Sequence, residues 1–211
     1  MKKFIAKLHY LTQDLENRSH VEQTQLACEA GCKWVQYRCF SKSDEEMLNE
    51  LHQIAAICDD WGATLLVTDH IHLLDKADIQ GVHIEDMQAD FIAIRQQIGP
   101  DKTLGASAHT FSDIQRIAAS LAVDYAGCGP FSLTDTKPNE FPLLGISGYK
   151  AITKEMLKAT IELPILAVGG VTLTDIESLM QTGIYGIALS AAVNKSDRPA
   201  KAFKEIYNKV Y

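Results

Sequence analysis

Short runs of apolar and β-branched residues alternate along this chain with longer amphipathic segments of helical period. The apolar runs predict strands at 8–12, 34–38, 64–68, 81–84, 103–107, 125–128, 165–168 and 186–189. The segments between them predict helices at 20–30, 44–61, 71–76, 90–98, 112–121, 147–157, 174–181 and 198–209. Because regular alternation of strands and helices is typical of a parallel sheet, the pattern predicts an α/β fold, a closed eight-stranded (βα)8 TIM barrel that forms a single domain over residues 1–211.

The ends of the predicted helices carry the expected capping residues. Ser43 and Glu46 match a capping box, and Ser112 and Thr174 stand where an N-cap is expected. Glycines follow three of the helices as stop signals, at Gly31, Gly62 and Gly183.

Composition narrows the class of protein. With 46% hydrophobic and 22% charged residues the chain is an ordinary globular sequence, and its net charge of -7 argues against a nucleic-acid partner. No signal peptide or membrane-spanning run is predicted, so we expect no membrane association and a cytoplasmic location. The five cysteines are scattered and odd in number, which predicts buried thiols without disulfides.

In a barrel of this type the functional residues follow the carboxyl ends of the strands. Gln36 and Arg38 alternate on the second strand and therefore point to the same side; Arg38 is expected either to bind an anion or to pair with a carboxylate in the barrel floor. Asp69 follows the third strand, where it is suited either to bind magnesium or to cap the next helix.

Two histidines are placed near the same end of the barrel. His109 comes at a strand end, where an acid or base reaches substrate, whereas His83 lies within a strand and is expected to be an interior histidine. A surface role is expected for the others outside the mouth, namely His9, His20, His52, His70 and His72.

Phosphate-binding chemistry is predicted in two places. Gly169 and Gly170 follow the seventh strand and Leu189 and Ser190 end the eighth, and glycines allow backbone amides to approach a phosphate. The long loop 131–146, after the sixth strand, adds two hydroxyls and an ammonium group, although a solvated turn has the same composition. Those loop residues are Thr134, Thr136 and Lys137.

Seven short motifs occur along the chain in a characteristic order. They are Val35-Gln36-Tyr37-Arg38, Thr68-Asp69, Gly81-Val82-His83-Ile84, Gly105-Ala106-Ser107-Ala108-His109-Thr110, Asp124-Tyr125-Ala126-Gly127-Cys128-Gly129-Pro130, Thr134-Asp135-Thr136-Lys137 and Ala167-Val168-Gly169-Gly170-Val171-Thr172. Together they resemble the thiamine phosphate synthase family and its relatives, the thiazole tautomerases. The resemblance implies a Mg²⁺-dependent reaction in which an aminopyrimidine methyl diphosphate loses pyrophosphate and its methylene carbon is captured by the nitrogen of a thiazole phosphate.

The resemblance also assigns roles to residues. It implies that Gln36 and Arg38 contact the pyrimidine diphosphate, that Asp69 binds Mg²⁺, and that Ser107 and Lys137 complete that site. The thiazole phosphate would be held by Thr134, Thr136, Gly169, Gly170, Leu189 and Ser190. Arg38, Lys137 and His109 are the expected catalytic residues, and a homodimer is the family expectation.

The chain departs from the family pattern at three positions. Phe40 stands where the family has a lysine, with Lys42 nearby as a substitute. Thr68 replaces an asparagine and is expected to contact substrate. Gln88 occupies the position of the second magnesium aspartate, so that Gln88 itself, Asp86 or Asp90 would supply the second ligand.

These departures keep two other functions open. One is a thiazole tautomerase, in which His109 would transfer protons and magnesium would be dispensable. The other is a non-catalytic paralogue that binds thiamine precursors, because a fold does not fix a function.

Overall fold

A computed structural model of the chain describes residues 3–134 and 141–211. Its eight strands lie parallel in sequence order, and β1 pairs with both β2 and β8, which closes the barrel. The strands are β1 (Leu8–Leu11), β2 (Trp34–Tyr37), β3 (Thr64–Thr68), β4 (Gly81–Ile84), β5 (Thr103–Ala108), β6 (Tyr125–Cys128), β7 (Ile165–Ala167) and β8 (Gly186–Leu189). The predicted fold class is confirmed.

Helices cover the outside of the barrel. They are α1 (His20–Glu29), α2 (Asp44–Trp61), α3 (Phe91–Ile98), α4 (Phe111–Ala119), α5 (Gly145–Lys158), α6 (Ile176–Met180), α7 (Ala191–Asn194) and α8 (Pro199–Val210). The segment between β3 and β4 forms only a 3₁₀ turn, Ile71–Leu73, where a longer helix was predicted. A segment of that length has too few residues to repay the cost of nucleating an α-helix. The short helix α7 was not predicted.

Local sequence explains most of the helix ends. Ser43 and Glu46 form the predicted capping box at the start of α2, and Gly62 ends that helix in the left-handed conformation with φ of 59°. The prediction for Ser112 was wrong, because α4 is capped two residues earlier by a reciprocal pair between Thr110 and Asp113. Thr174 does not cap α6 either, since that helix begins at Ile176.

The barrel interior is filled at its amino-terminal end by large side chains. Trp34 and Tyr125 are fully buried there with Leu66 and Leu166. Gly105 makes room for this packing, because a Cβ at that position would lie 2.3 Å from the ring of Tyr125. Because these side chains close the amino-terminal end, the barrel is open at the carboxyl ends of its strands.

The five cysteines are all buried and free, as predicted. Within the described residues, no helix is both long and apolar enough to span a membrane.

Candidate active site

A cavity of about 550 Å³ opens at the carboxyl ends of the strands. Most of the predicted site residues line it, namely Gln36, Arg38, Ser107, His109, Thr134, Gly169, Gly170, Leu189 and Ser190. Asp86 also lines the cavity, whereas Thr68, Asp69, Gln88 and Asp90 do not. The predicted residues Thr136 and Lys137 lie outside the described part of the chain. The structure therefore gathers residues from distant parts of the sequence around one space.

One wall of this cavity is a turn of two glycines after β7. Gly169 and Gly170 have φ of 86° and 70°, a conformation that side chains rarely adopt. A Cβ at Gly170 would lie 2.3 Å from Ser132 Oγ and 2.4 Å from Leu133 O, because the turn packs against the loop after β6. Ser132 Oγ donates a hydrogen bond to Gly170 O at 2.6 Å. Turn geometry thus requires both glycines, and it brings their backbone to the cavity surface. This turn, with Leu189 and Ser190 at the end of β8, is called the glycine wall below.

The opposite wall is built from charged side chains after β2 and β4. Arg38 forms a two-pronged ion pair with Glu85, with Nε 2.9 Å from Oε1 and Nη2 3.3 Å from Oε2. The ring of Phe40 lies under the guanidinium, 4.5 Å from ring centroid to Cζ. Of the two roles expected for Arg38, carboxylate pairing is thus present, at the rim of the barrel rather than in its floor.

Sequence reasoning missed Glu85. Its position two residues after His83 on the same strand run was the available signal, because alternate residues share a face. Arg38, Glu85 and Asp86 line the cavity, and Phe40 and Asp69 lie behind them in contact with Arg38 and Glu85; these five residues are called the charged wall below.

The carboxylates of the charged wall are arranged differently from one another. Asp69 has a left-handed backbone with φ of 58°, and its Oδ1 accepts the N–H of Glu85 at 2.8 Å. It does not cap the following 3₁₀ turn, whose N-cap position is His70. Backbone strain at a non-glycine residue is typical of functional positions.

The three candidates for the second magnesium ligand, Asp86, Gln88 and Asp90, lie in different surroundings. Asp86 lines the cavity, and its Oδ1 accepts the backbone N–H of Gln88 at 2.8 Å. The side chain of Gln88 is exposed outside the cavity. Asp90 caps α3, where its carboxylate accepts the N–H groups of Ile92 and Ala93. Asp86 is the candidate that faces the cavity.

Polar side chains of the strands form the cavity floor. Gln36 Nε2 donates to Thr68 Oγ1 at 2.8 Å, and both residues are buried. His83 is hydrogen-bonded to Ser107 Oγ at 3.1 Å and to the hydroxyl of Tyr125 at 3.0 Å. His83 is the interior histidine that was predicted, and it also lines the cavity.

His109 is held at the cavity rim by three contacts. Its Nδ1–H donates to Gly129 O at 2.5 Å, which leaves Nε2 as the lone-pair nitrogen. The imidazole stacks on Phe141, with ring centroids 3.4 Å apart and planes 6° from parallel. The backbone N–H donates to Asp113 Oδ2 at 3.0 Å. Although burial opposes it, the hydrogen bonds from His109 and Thr110 keep the pKa of Asp113 below its usual value.

The deepest part of the floor contains His9, for which a surface role was wrongly expected. The residue is 1% exposed because it points into the barrel from β1, where it stacks on Trp34 with centroids 4.4 Å apart. Burial, and then the nearby His83, hold the pKa of His9 well below its usual value. Its Nε2 has no hydrogen-bond partner among the described residues. The same expectation was wrong for His20, which is also buried.

Comparison with known proteins gives a consistent result. A family model described as thiamine monophosphate synthase matches residues 8–193. A thiamine-phosphate synthase of Phocaeicola vulgatus is 36% identical over 96% of this chain and 97% of its own length. One from Bacteroides fragilis is 37% identical over 97% of this chain and the whole of its own.

A solved structure shows the same fold. Thiamine phosphate pyrophosphorylase from Pyrococcus furiosus superposes with a TM-score of 0.83 over 97% of this chain and 95% of that chain, at 24% identity. The match of the family model over most of the barrel, with relatives above one-third identity along the full chain, establishes that this chain belongs to the thiamine monophosphate synthase family.

Proposed function

We propose that this chain is a thiamine-phosphate synthase, a transferase that joins an aminopyrimidine methyl diphosphate to a thiazole phosphate and releases pyrophosphate. The observation that carries the proposal is the pairing of two unlike anion sites across one cavity. The glycine wall suits a phosphate monoester, and the charged wall suits a diphosphate that arrives with a cation. A reaction between two phosphorylated molecules needs two such sites within one enclosed space.

The charged wall is the proposed site of the pyrimidine diphosphate. Arg38 offers its remaining N–H donors to diphosphate oxygens while Glu85 and Phe40 hold the guanidinium in place. Asp69 and Asp86 provide carboxylate oxygens on neighbouring loops, which fits Mg²⁺ because this ion prefers one or two carboxylates together with substrate phosphates. When bound, the ion neutralises charge on the departing pyrophosphate.

The floor is the proposed site of the pyrimidine ring. Gln36 and Ser107 lie between the two walls, and both present polar atoms to a ring inserted edge-on. Thr68 acts through Gln36, whose amide it accepts, rather than by lining the cavity. Fixing the ring directs the methylene carbon toward the thiazole nitrogen, so that the C–O bond to the diphosphate breaks as the C–N bond forms. The chain supplies no nucleophile for this step.

The glycine wall is the proposed site of the thiazole phosphate. Backbone N–H groups of Gly169 and Gly170 and the hydroxyls of Ser190 and Thr134 are suited to its oxygens. The proposed roles of Thr136 and Lys137 fall outside the described residues.

The lysine that Phe40 replaces has no substitute in Lys42. The ammonium group of Lys42 is 2.5 Å from Glu50 Oε1 and does not line the cavity. Arg38 and the bound cation would therefore carry more of the diphosphate charge in this chain than in a synthase with the family lysine.

A single assay tests the proposal. Purified protein is incubated with both phosphorylated substrates, with and without Mg²⁺, and pyrophosphate and thiamine phosphate are measured. We expect both products in equal amounts and only with Mg²⁺. Absence of pyrophosphate release under every condition would contradict synthase activity.

The tautomerase alternative is favoured by one observation, the placement of His109 Nε2 at the cavity rim. A proton-transfer reaction would use this nitrogen as acid or base. Isomerisation of a thiazole carboxylate phosphate without Mg²⁺ and without pyrophosphate release would support it.

A further inference from the structure

A second cluster of chemically active side chains lies outside the cavity, beside the ends of β1 and β2. Asp14 comes from the loop after β1, His20 is the first residue of α1, and Cys39 follows β2. One ligand atom from each of the three lies within 4.8 Å of the others. His20 and Cys39 are buried, while Asp14 is exposed to solvent. Three separate segments thus bring a thiol, an imidazole and a carboxylate to one point.

The contacts within this cluster fix each side chain in place. His20 Nε2 is 3.0 Å from Asp14 Oδ1, and His20 Nδ1 is 2.7 Å from Thr12 Oγ1. Asp14 Oδ2 accepts the N–H of Phe40 at 3.0 Å, so the carboxylate keeps its orientation when Oδ1 takes another partner. A histidine fixed through its second ring nitrogen is the usual arrangement around bound metal ions.

Space for an ion and a fourth ligand lies beside the cluster. A pocket of about 260 Å³ is lined by Asp14 and His20 together with Ser41 and Lys42. The exposed Asp14 and the buried imidazole of His20 both line this pocket, so an ion that enters it would meet these two groups first, with Cys39 behind them.

We propose that Asp14, His20 and Cys39 bind a Zn²⁺ ion, with water from the adjoining pocket as the fourth ligand. Sulfur, imidazole nitrogen and carboxylate oxygen together are typical of zinc, whereas magnesium and calcium prefer oxygen ligands alone. This site is separate from the magnesium position proposed in the cavity, and it does not depend on the proposed function.

Binding of Zn²⁺ changes which atoms of the cluster carry protons. Zinc binds the thiolate of Cys39, so formation of the Zn–S bond releases the thiol proton to solvent. The proton on His20 Nε2 moves to Nδ1, which then donates to Thr12 Oγ1, and Nε2 becomes a ligand. The charge balance is one Zn²⁺ bound and one proton lost.

The ion would act on the segment that carries the charged wall. Thr12 Oγ1 accepts the backbone N–H of Arg38 at 3.1 Å, and Asp14 accepts that of Phe40. Zinc would therefore tie α1 and the loop after β1 to the residues on both sides of Cys39. The expected role is to stabilise this part of the rim.

A second group of close potential ligands, Asp44, His70 and His72, provides the control. Asp44 and His72 are exposed, and the group contains no sulfur. Cobalt(II) distinguishes the two sites, because a bound thiolate gives an intense charge-transfer band in the near ultraviolet that nitrogen and oxygen ligands do not give.

The experiment titrates the metal-free, full-length protein with Co²⁺ and then displaces the cobalt with Zn²⁺. We expect one equivalent with the thiolate band and with tetrahedral visible bands, and complete displacement by Zn²⁺. The band should be lost in Cys39→Ala and retained in Cys128→Ala, a matched buried cysteine at the end of β6. It should also be retained in the double variant Asp44→Ala with His72→Ala, which leaves the contact of His70 with Cys39 O intact.

Three results would overturn the proposal. They are no thiolate band in the unmodified protein, a band that persists in Cys39→Ala, and a band that disappears in the Asp44 and His72 double variant. If Cys39→Ala does not fold, Asp14→Asn replaces it. That variant keeps the side-chain volume and should lower Zn²⁺ affinity by about tenfold or more; unchanged affinity would then reject the site.

Discussion

The two walls of the cavity offer groups suited to anions of two different kinds, backbone amides on one side and charged side chains on the other. The glycine wall uses backbone groups whose position is set by positive φ angles and by close packing against the loop after β6. The charged wall uses side chains whose positions depend on one another, since Glu85 holds Arg38 and donates its backbone N–H to Asp69. One wall is therefore rigid and short of charge, and the other is rich in charge and dependent on its partners.

This difference explains where the chain departs from its family. The glycine wall tolerates little change, because almost any side chain collides with neighbouring backbone. The charged wall tolerates exchange, because a lost cation can be offset by a bound metal ion or by a neighbouring charge. The three departures noted in the sequence lie at the ends of the strands that carry the charged wall: Phe40 follows β2, Thr68 is the last residue of β3, and Gln88 follows β4.

The largest effect is expected from Gly170→Ala, which tests the rigid wall. The new methyl group would collide with Ser132 Oγ and Leu133 O, and the residue would be held at an unfavourable φ. We expect kcat/KM for the thiazole phosphate to fall by about 100-fold, as when positioned backbone donors are lost from an active site. Steady-state kinetics with the pyrimidine diphosphate saturating measures this.

Gly62→Ala is the matched control for that variant. Gly62 also has a positive φ, but no atom lies within 4 Å of the position of its Cβ, and it ends α2 far from the cavity. It should lose stability without losing kcat/KM. Equal losses of activity in the two variants would show that strain alone, and not the cavity surface, causes the effect.

A smaller loss is expected from Arg38→Lys, which tests the charged wall. Lysine keeps the charge but cannot bind Glu85 through two nitrogens or stack flat on Phe40. We expect kcat/KM for the pyrimidine diphosphate to fall by about 30-fold, equivalent to one charge-assisted hydrogen bond of about 2 kcal/mol. The KM for the thiazole phosphate should change little.

Arg116→Lys is the control, because Arg116 also lies over an aromatic ring, that of Phe91, but does not line the cavity. If both substrates lose affinity equally in Arg38→Lys, the two walls are not independent.

The contrast between the walls also separates what the sequence revealed from what it could not. The barrel and the glycine wall follow from local patterns: apolar alternation gives the strands, and paired glycines after β7 mark a tight turn, which the structure places at the cavity. The pairing of Arg38 with Glu85 joins residues 47 positions apart and has no local signal. The burial of His9 and His20 depends on strand register and helix docking, which periodicity alone does not specify for a polar residue.

Phe40→Lys sharpens the comparison by returning a cation to the charged wall. Phe40 is exposed, and its loss removes only the stacking contact with Arg38. We expect kcat/KM for the pyrimidine diphosphate to rise by about fivefold, equivalent to about 1 kcal/mol for a solvent-exposed ion pair. The Mg²⁺ concentration needed for half-maximal rate should fall as well, because the lysine shares the diphosphate charge.

Trp61→Lys adds the same charge at a half-exposed aromatic residue at the end of α2 and should leave both values unchanged. A rise in rate with both variants would point to general electrostatic attraction of the substrate instead of a local effect.

The last effect is expected beneath both walls, at His9, and it concerns stability instead of turnover. The pKa of His9 is lowered in the folded chain by burial and by His83, whereas the unfolded chain takes up this proton near the ordinary value of 6.5. Below that pH the unfolded state binds a proton at His9 and the folded state does not. The free energy of unfolding therefore falls on acidification, by up to about 1.4 kcal/mol per pH unit. His9→Gln removes this term, and the gap in melting temperature between the original chain and the variant should narrow as pH falls from about 7.5 to about 5.5. A difference in melting temperature that stays constant with pH would contradict this prediction. It would mean that the imidazole of His9 takes up a proton in the folded protein, and that the cavity floor does not require it to be neutral.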